Sequence, residues 1–288
     1  MLMSSMRPRR SSLTLPRVCY YVACVILALI FLFPLFWTVI STFKSPEEIS
    51  AVPPTFFPQQ FTFQGYLDLF QAGAGIIQYL GNSILVTFLT IALTILLSTL
   101  AAFGFARFPF PGLNVVFVLI LAGLMIPFTS IVTPLFVLLR VLDLQNSLFG
   151  LVLIYTTFQL PFSIFMMRNS FESIPRELQE AAEIDGCSWF SMLFRVMIPV
   201  AYPGVITVGL FTFFAAWNEF LAALIFLSDS DRYTFPIYLV MAQQGQYGTV
   251  NWNSVQAGVV ISALPCILVF LLLQRFYLKG LMSGAVKA

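Results

Sequence analysis

Glu180, Ala181, Ala182, Asp185, Gly186 and Pro199 belong to one run, EAAEIDGCSWFSMLFRVMIP, in the densest patch of charge of an otherwise apolar chain. Arg176 and Glu177 precede it, and Glu183 and Arg195 lie inside it. Charged side chains between two apolar stretches need water or a partner protein to meet them. The segment reads either as a docking surface or as an interfacial loop packed under its own bundle. A second constellation is Trp217, Asn218 and Glu219, within AAWNEFLAA. A carboxyl at bilayer depth costs about 2.5–3.5 kcal/mol on insertion scales, so Glu219 must face a cavity, a partner or water. Trp217 can stack on a flat apolar face of a ligand, and Asn218 and Glu219 can exchange hydrogen bonds with hydroxyls. A polar clamp between helices is the alternative. Third, Ser83, Thr87, Thr90, Thr94 and Ser98 follow helical spacing and are headed by Asn82. That stripe is either a polar wall of a solute path or a packing seam of small residues. The chain has no histidine. It shows no nucleophile constellation and no metal-ligand cluster, which excludes the usual enzymatic chemistries.

The elements that hold these residues are apolar helices. The chain is 59% hydrophobic and only 9% charged, with a mean hydropathy of +0.94, outside the range of soluble domains. Windows of about 20 apolar residues, the length of a bilayer span, recur six times. They are expected at Cys19–Phe43, Gly81–Ala106, Leu113–Leu139, Leu148–Met167, Val200–Leu227 and Val255–Leu273. The first follows an arginine-rich start but is too long for a signal-peptide core, so it reads as an uncleaved span. Pro127, Pro134, Pro161 and Pro265 fall inside spans, where neighbours can satisfy the freed carbonyls. Cys19, Cys24, Cys187 and Cys266 show no CxxC pairing, so neither a disulfide framework nor a metal site is indicated. The expected organisation is an N-terminal segment 1–18, one six-span transmembrane domain 19–274 with a polar loop at about 168–199, and a tail 275–288.

Orientation follows from basic residues. With six spans and the N-terminus inside, the inner segments hold eleven: Arg7, Arg9, Arg10, Arg17, Arg107, Arg168, Arg176, Arg195, Arg275, Lys279 and Lys287. The outer ones hold three, Lys44, Arg140 and Arg232. This bias places both termini and the charged run in the cytoplasm. Locally, Pro175 suits the start of a helix, and Arg176 to Asp185 are mostly good helix formers. Gly186 breaks the helix, and a second one from Ser188 to Met197 runs until Pro199 ends it. The pair is expected to form an L.

Glu-Ala-Ala, three residues, Gly186, and a closing aliphatic-x-aliphatic-Pro199 resemble the "EAA" signature of binding-protein-dependent ABC importer permeases. Four other stretches are similar to the carbohydrate, MalG-like branch: FKSPEE from Phe43, AAFGFARFPFPG from Ala101, WNEFL from Trp217, and the tail Gln274-Arg-Phe-Tyr with Gly284-Ala-Val-Lys287. The resemblance implies an all-α integral membrane protein with six transmembrane helices, the type I importer permease fold and a cytoplasmic coupling helix. It implies a second homologous permease, two cytoplasmic ABC ATPase subunits and an extracytoplasmic solute-binding protein as partners, in the lipid of the inner membrane and without nucleic acid. ATP and magnesium would be held by the ATPase; this chain has no GxxxxGK[ST] loop and is expected to bind no cofactor itself. Glu180, Ala181, Ala182 and Gly186 then become coupling positions, and the Gly284–Ala288 tail a candidate ATPase contact. The outer loops around Pro53–Tyr66 and Gln243–Gly248 become candidate contacts of the binding protein, with Tyr66 to Phe70 as a short helix. The rival reading, a self-sufficient secondary transporter or channel, lacks an ion-coupling site beyond the single Glu219. A membrane scaffold that recruits a cytoplasmic protein is the third.

Overall fold

Proline and charge decide where the apolar runs bend. The computed structural model describes residues 15–71, 75–244 and 250–285, and no strand occurs among them. The helices are α1 (Leu15–Ser41), α2 (Pro46–Ile49), α3 (Gln64–Gln71), α4 (Ile76–Arg107), α5 (Leu113–Ala122), α6 (Phe128–Val141) and α7 (Leu148–Glu172). Then follow α8 (Arg176–Ile184), α9 (Trp189–Met192), α10 (Ile198–Val200), α11 (Tyr202–Trp217), α12 (Leu221–Phe226), α13 (Phe235–Gln244) and α14 (Trp252–Ala285). Four continuous stretches are long and apolar enough to cross a bilayer: Pro16–Ser41, Ile76–Arg107, Leu148–Glu172 and Trp252–Gln274. Two further pairs pass only as bent units, giving up to six spans.

Two of the expected spans are broken by bends. Leu113–Leu139 divides into α5 with its 3₁₀ extension to Met125, and α6, at 102° to it. Pro127 is the cause: a residue before proline is driven out of the helical region, and Ile126 is extended at φ −80°, ψ 114°. Pro34, Pro134, Pro161 and Pro265 stay inside helices. The expected span Val200–Leu227 is also interrupted, between Trp217 and Leu221. At the other end α14 runs unbroken to Ala285, so the expected boundary at 274/275 falls inside one helix. Arg7, Arg9 and Arg10 of the N-terminal segment, most of the Gln243–Gly248 loop, and Val286–Ala288 of the tail lie outside the described residues.

The core is built where α4, α7 and α11 meet. Val86, Leu151, Val152, Tyr155, Ala216 and Ala223 form its middle. Ala102, Phe103, Met167, Phe171, Met192 and Leu193 close the end that carries α8 and α9. The far end packs Leu69, Ile76, Tyr79, Phe235, Tyr238 and Ala257 together, with the Tyr79 and Tyr238 rings stacked at 4.6 Å. The stretch between the expected spans ending at Leu227 and beginning at Val255 is therefore partly a packed helix, α13. No residue in the most apolar window of α1 is buried by the rest of the chain.

Candidate functional site

The charged run folds as two short helices around Gly186. α8 ends in a closed loop of hydrogen bonds: Gly186 N–H donates to Glu183 O and Cys187 N–H to Ala182 O, each at 3.0 Å. This is a Schellman end, which needs a left-handed residue at its turn, and Gly186 has φ +75°. Ser188 caps α9 by accepting from Ser191 N–H at 3.3 Å. Glu180, Ala181, Asp185 and Gly186 are exposed, whereas Ala182 is buried among Met192, Leu193 and Ile174. Of the two alanines expected to offer a close-approach face outward, only Ala181 does so; Ala182 seats the helix on its own bundle. Ile184, Phe190 and Phe194 add exposed apolar surface beside the carboxylates.

Pro199 does not end the second helix. A π turn over Leu193–Met197 leads into α10, and the chain then bends by 79° into α11. A proline ring clashes with the carbonyl four residues back, and a wider turn moves that carbonyl aside.

The segment rests on the end of α4. Arg107 Nη2 donates to Phe171 O at 2.8 Å and to Ile174 O at 2.9 Å. Phe108 packs on Trp189 of α9, with ring centroids 4.6 Å apart. Arg107 was legible only as part of a turn motif. Its role as a strut depends on carbonyls 64 and 67 residues away.

The three residues of the Trp217 constellation separate. Trp217 is buried, stacks on Phe213 and donates its indole N–H to Ser262 O at 3.1 Å, holding α11 against α14. Glu219 stands in the break after α11 and caps α12: Oε1 accepts from Ala222 N–H at 2.7 Å and Oε2 from Ala223 N–H at 3.1 Å. The Tyr155 hydroxyl of α7 donates to Oε2. Glu219 is thus a tie between elements, engaged with the chain's own donors. Asn218 alone is exposed. It lines a cleft of about 420 Å³ with Phe214, Leu239, Val259, Ser262 and Cys266, and its amide donates to Phe214 O at 2.9 Å.

The hydroxyl stripe turns inward. Ser83, Thr87, Thr90, Thr94 and Ser98 are all buried on α4, the helix most extensively packed against α7 and α11. Ser83 Oγ accepts from Phe235 N–H at 2.8 Å, and Asn82 Nδ2 donates to Asp231 O and Tyr233 O, both at 2.9 Å. These two residues bind the start of α4 to the segment before α13.

Removing the Glu219 carboxyl strands two helix-end N–H groups and a buried phenol, at about 1–3 kcal/mol for each group left unpaired. Glu219→Ala is expected to lower the thermal midpoint of the detergent-solubilised protein by roughly 5 °C or more, with Glu219→Gln milder. A scan that finds Glu219→Ala as stable as the parent would remove the clamp.

Apolar helices that cross a membrane, broken spans and a charged two-helix segment at one end define a polytopic transport component. A model of the family described as binding-protein-dependent transport system inner membrane component matches residues 94–280, and the chain belongs to that family. It is 36% identical over 267 residues to the sulfoquinovosyl glycerol transport system permease protein SmoH of Agrobacterium fabrum, covering 93% of each chain. It is 31% identical over 274 residues to the trehalose/maltose transport system permease protein MalG of Thermococcus litoralis, covering 95% of this chain and 98% of that one. The crystal structure of a bacterial ABC transporter involved in the import of the acidic polysaccharide alginate has a chain that superposes with a TM-score of 0.81. The match covers 95% of this chain and 100% of that chain at 22% identity, a likeness of fold.

Proposed function

We propose that this chain is the permease subunit of an ATP-driven importer of a saccharide or related polyol, working by alternating access. The observation that carries the reading is the exposed face of α8, Glu180, Ala181 and Asp185 beside the Gly186 turn, standing on the rigid end of α4. A cytoplasmic ATPase docking there can rotate the bundle as a body. The substrate class is drawn from the relatives, whose printed names concern sulfoquinovosyl glycerol and trehalose/maltose. A second permease completes the passage and covers the apolar length of α1, and a solute-binding protein delivers the cargo. The eleven-to-three basic asymmetry supports a cytoplasmic location for the termini and α8.

In this reading the Asn218 cleft is this chain's contribution to the solute path. Loss of one amide hydrogen bond is worth about 0.5–1.5 kcal/mol, so Asn218→Ala is expected to raise the half-saturating solute concentration roughly two- to tenfold without altering ATPase assembly. Proteoliposomes holding both permeases and the ATPase, supplied with binding protein, test the whole reading: uptake should require ATP and every subunit. Uptake by the purified chain alone, driven by an ion gradient, would overturn it.

A further inference from the structure

The end of the bundle opposite α8 carries a second cleft, of about 390 Å³, which the coupling reading leaves unused. The two ends are about 48 Å apart along the 32 residues of α4, at 1.5 Å per residue. The cleft is lined by Trp37 and Ser41 of α1, Lys44 and Glu48 around α2, and Trp252 and Gln256 of α14. Its volume lies within the range of about 300–1,000 Å³ common to small-molecule sites.

The polar groups are fixed in place. Asn253 Nδ2 donates to Lys44 O at 2.6 Å, anchoring that backbone to α14. Lys44 is buried; its Nζ donates to Thr55 O and lies 4.5 Å from the centre of the Trp37 ring. An ammonium has three N–H groups, so one remains to be placed after the carbonyl and the indole face. Glu48 Oε1 accepts from Thr55 Oγ1 at 2.6 Å and from Gln59 N–H at 3.0 Å, and Oε2 accepts from the same N–H at 3.1 Å. A carboxylate offers about four lone-pair sites, so it too keeps accepting capacity. The Thr55 hydroxyl, ahead of every other influence, holds Glu48 below the usual carboxylate range. Ammonium and carboxylate line the same cleft. Trp252, half exposed, supplies a flat apolar wall, and Gln256 an amide with both donors and an acceptor.

We propose that this cleft binds one neutral pyranose ring, its C–H face on Trp252 and its hydroxyls shared among Lys44, Glu48 and Gln256. Charge decides the class. A phosphate or uronate would meet Glu48, and an amine would meet Lys44, whereas a vicinal diol donates to one and accepts from the other. The ring can belong to a free saccharide or to a glycolipid headgroup, which present the same C–H face and hydroxyls. The proposal rests on the importer reading for the source of the sugar, not for the chemistry of the cleft.

The test uses the complete transporter in nanodiscs free of glycolipid, photolabelled with diazirine-tagged maltose, cellobiose and lactose. Labelling is expected on the peptides holding residues 37–54 and 252–256, and Trp252→Ala or Gln256→Ala should reduce it at least fivefold at an unchanged thermal midpoint. Competition by the untagged disaccharides assigns the ring to a soluble sugar; competition only by added glucosyl diacylglycerol assigns it to a membrane lipid. Labelling that survives Trp252→Ala, or that only glycerol phosphate displaces, overturns the site. Saccharide uptake measured on the same complex separates the two readings. Uptake without labelling removes the subsite alone, while no uptake of any saccharide removes the importer assignment.

Discussion

Gly186→Val is expected to leave the protein in the membrane and to cut solute-coupled ATP hydrolysis about tenfold or more. At φ +75° the position lies in the left-handed region, which costs an ordinary L-residue about 1–2 kcal/mol and a β-branched one more. A Cβ added there would meet nothing within 4 Å, so the penalty is conformational and does not come from a clash. The chain escapes it by opening the Schellman end, which releases the bonds from Gly186 N–H to Glu183 O and from Cys187 N–H to Ala182 O. With them goes the fixed angle between α8 and α9. A shift of about 1.4 kcal/mol is a tenfold change in population, enough to deprive an ATPase of the surface it must grip. Asparagine tolerates the left-handed region better than other side chains, so Gly186→Asn should keep most of the coupling. The measurement is ATPase activity of the reconstituted transporter with and without loaded binding protein, beside membrane yield. Coupling as low in Gly186→Asn as in Gly186→Val would sink the conformational account and leave close approach of the partner as the reason for glycine.

What could be read from residues alone divides along a physical line. The charged run was legible because charge is scarce in this chain, and a glycine between helix formers marks a turn without any tertiary knowledge. Broken spans were not, because the outcome at a proline depends on what surrounds it. Pro134, Pro161 and Pro265 remain within helices, while Pro127 turns the chain by 102°. Glu219 shows the same limit. An ionisable group amid apolar residues is conspicuous, but its partners are the start of α12, which exists only because the span breaks, and Tyr155, 64 residues away. The stripe from Ser83 to Ser98 has one helical face by spacing alone; that this face is buried is a property of the bundle. Arg107 gave least warning, because its acceptors are backbone carbonyls, which no residue type announces.

Arg107→Met is the second large effect expected, and it acts through the support beneath the coupling helix. The guanidinium reaches two carbonyls at the end of α7, Phe171 O and Ile174 O. A helix C-terminus carries partial negative charge, and a carbonyl has a second lone pair beyond its backbone donor, so a cation is suited there. Pro175 follows immediately and has no N–H to offer, and α8 begins at Arg176. The side chain therefore joins α4 to the last fixed point before α8. Phe108 on Trp189 makes a second joint, to α9, so a push on either short helix reaches the same end of α4. Methionine keeps the apolar stem but takes the side-chain donor from Ile174 O, at about 1–3 kcal/mol, and leaves Phe171 O with backbone N–H donors alone. Hydrogen exchange should rise across residues 171–176, and coupled ATP hydrolysis should fall at least tenfold. Arg107→Lys, a single ammonium in place of a planar fork, should recover part of both. If exchange rises in Arg107→Met while coupling stays at the parental level, α4 is not the element through which α8 drives the bundle.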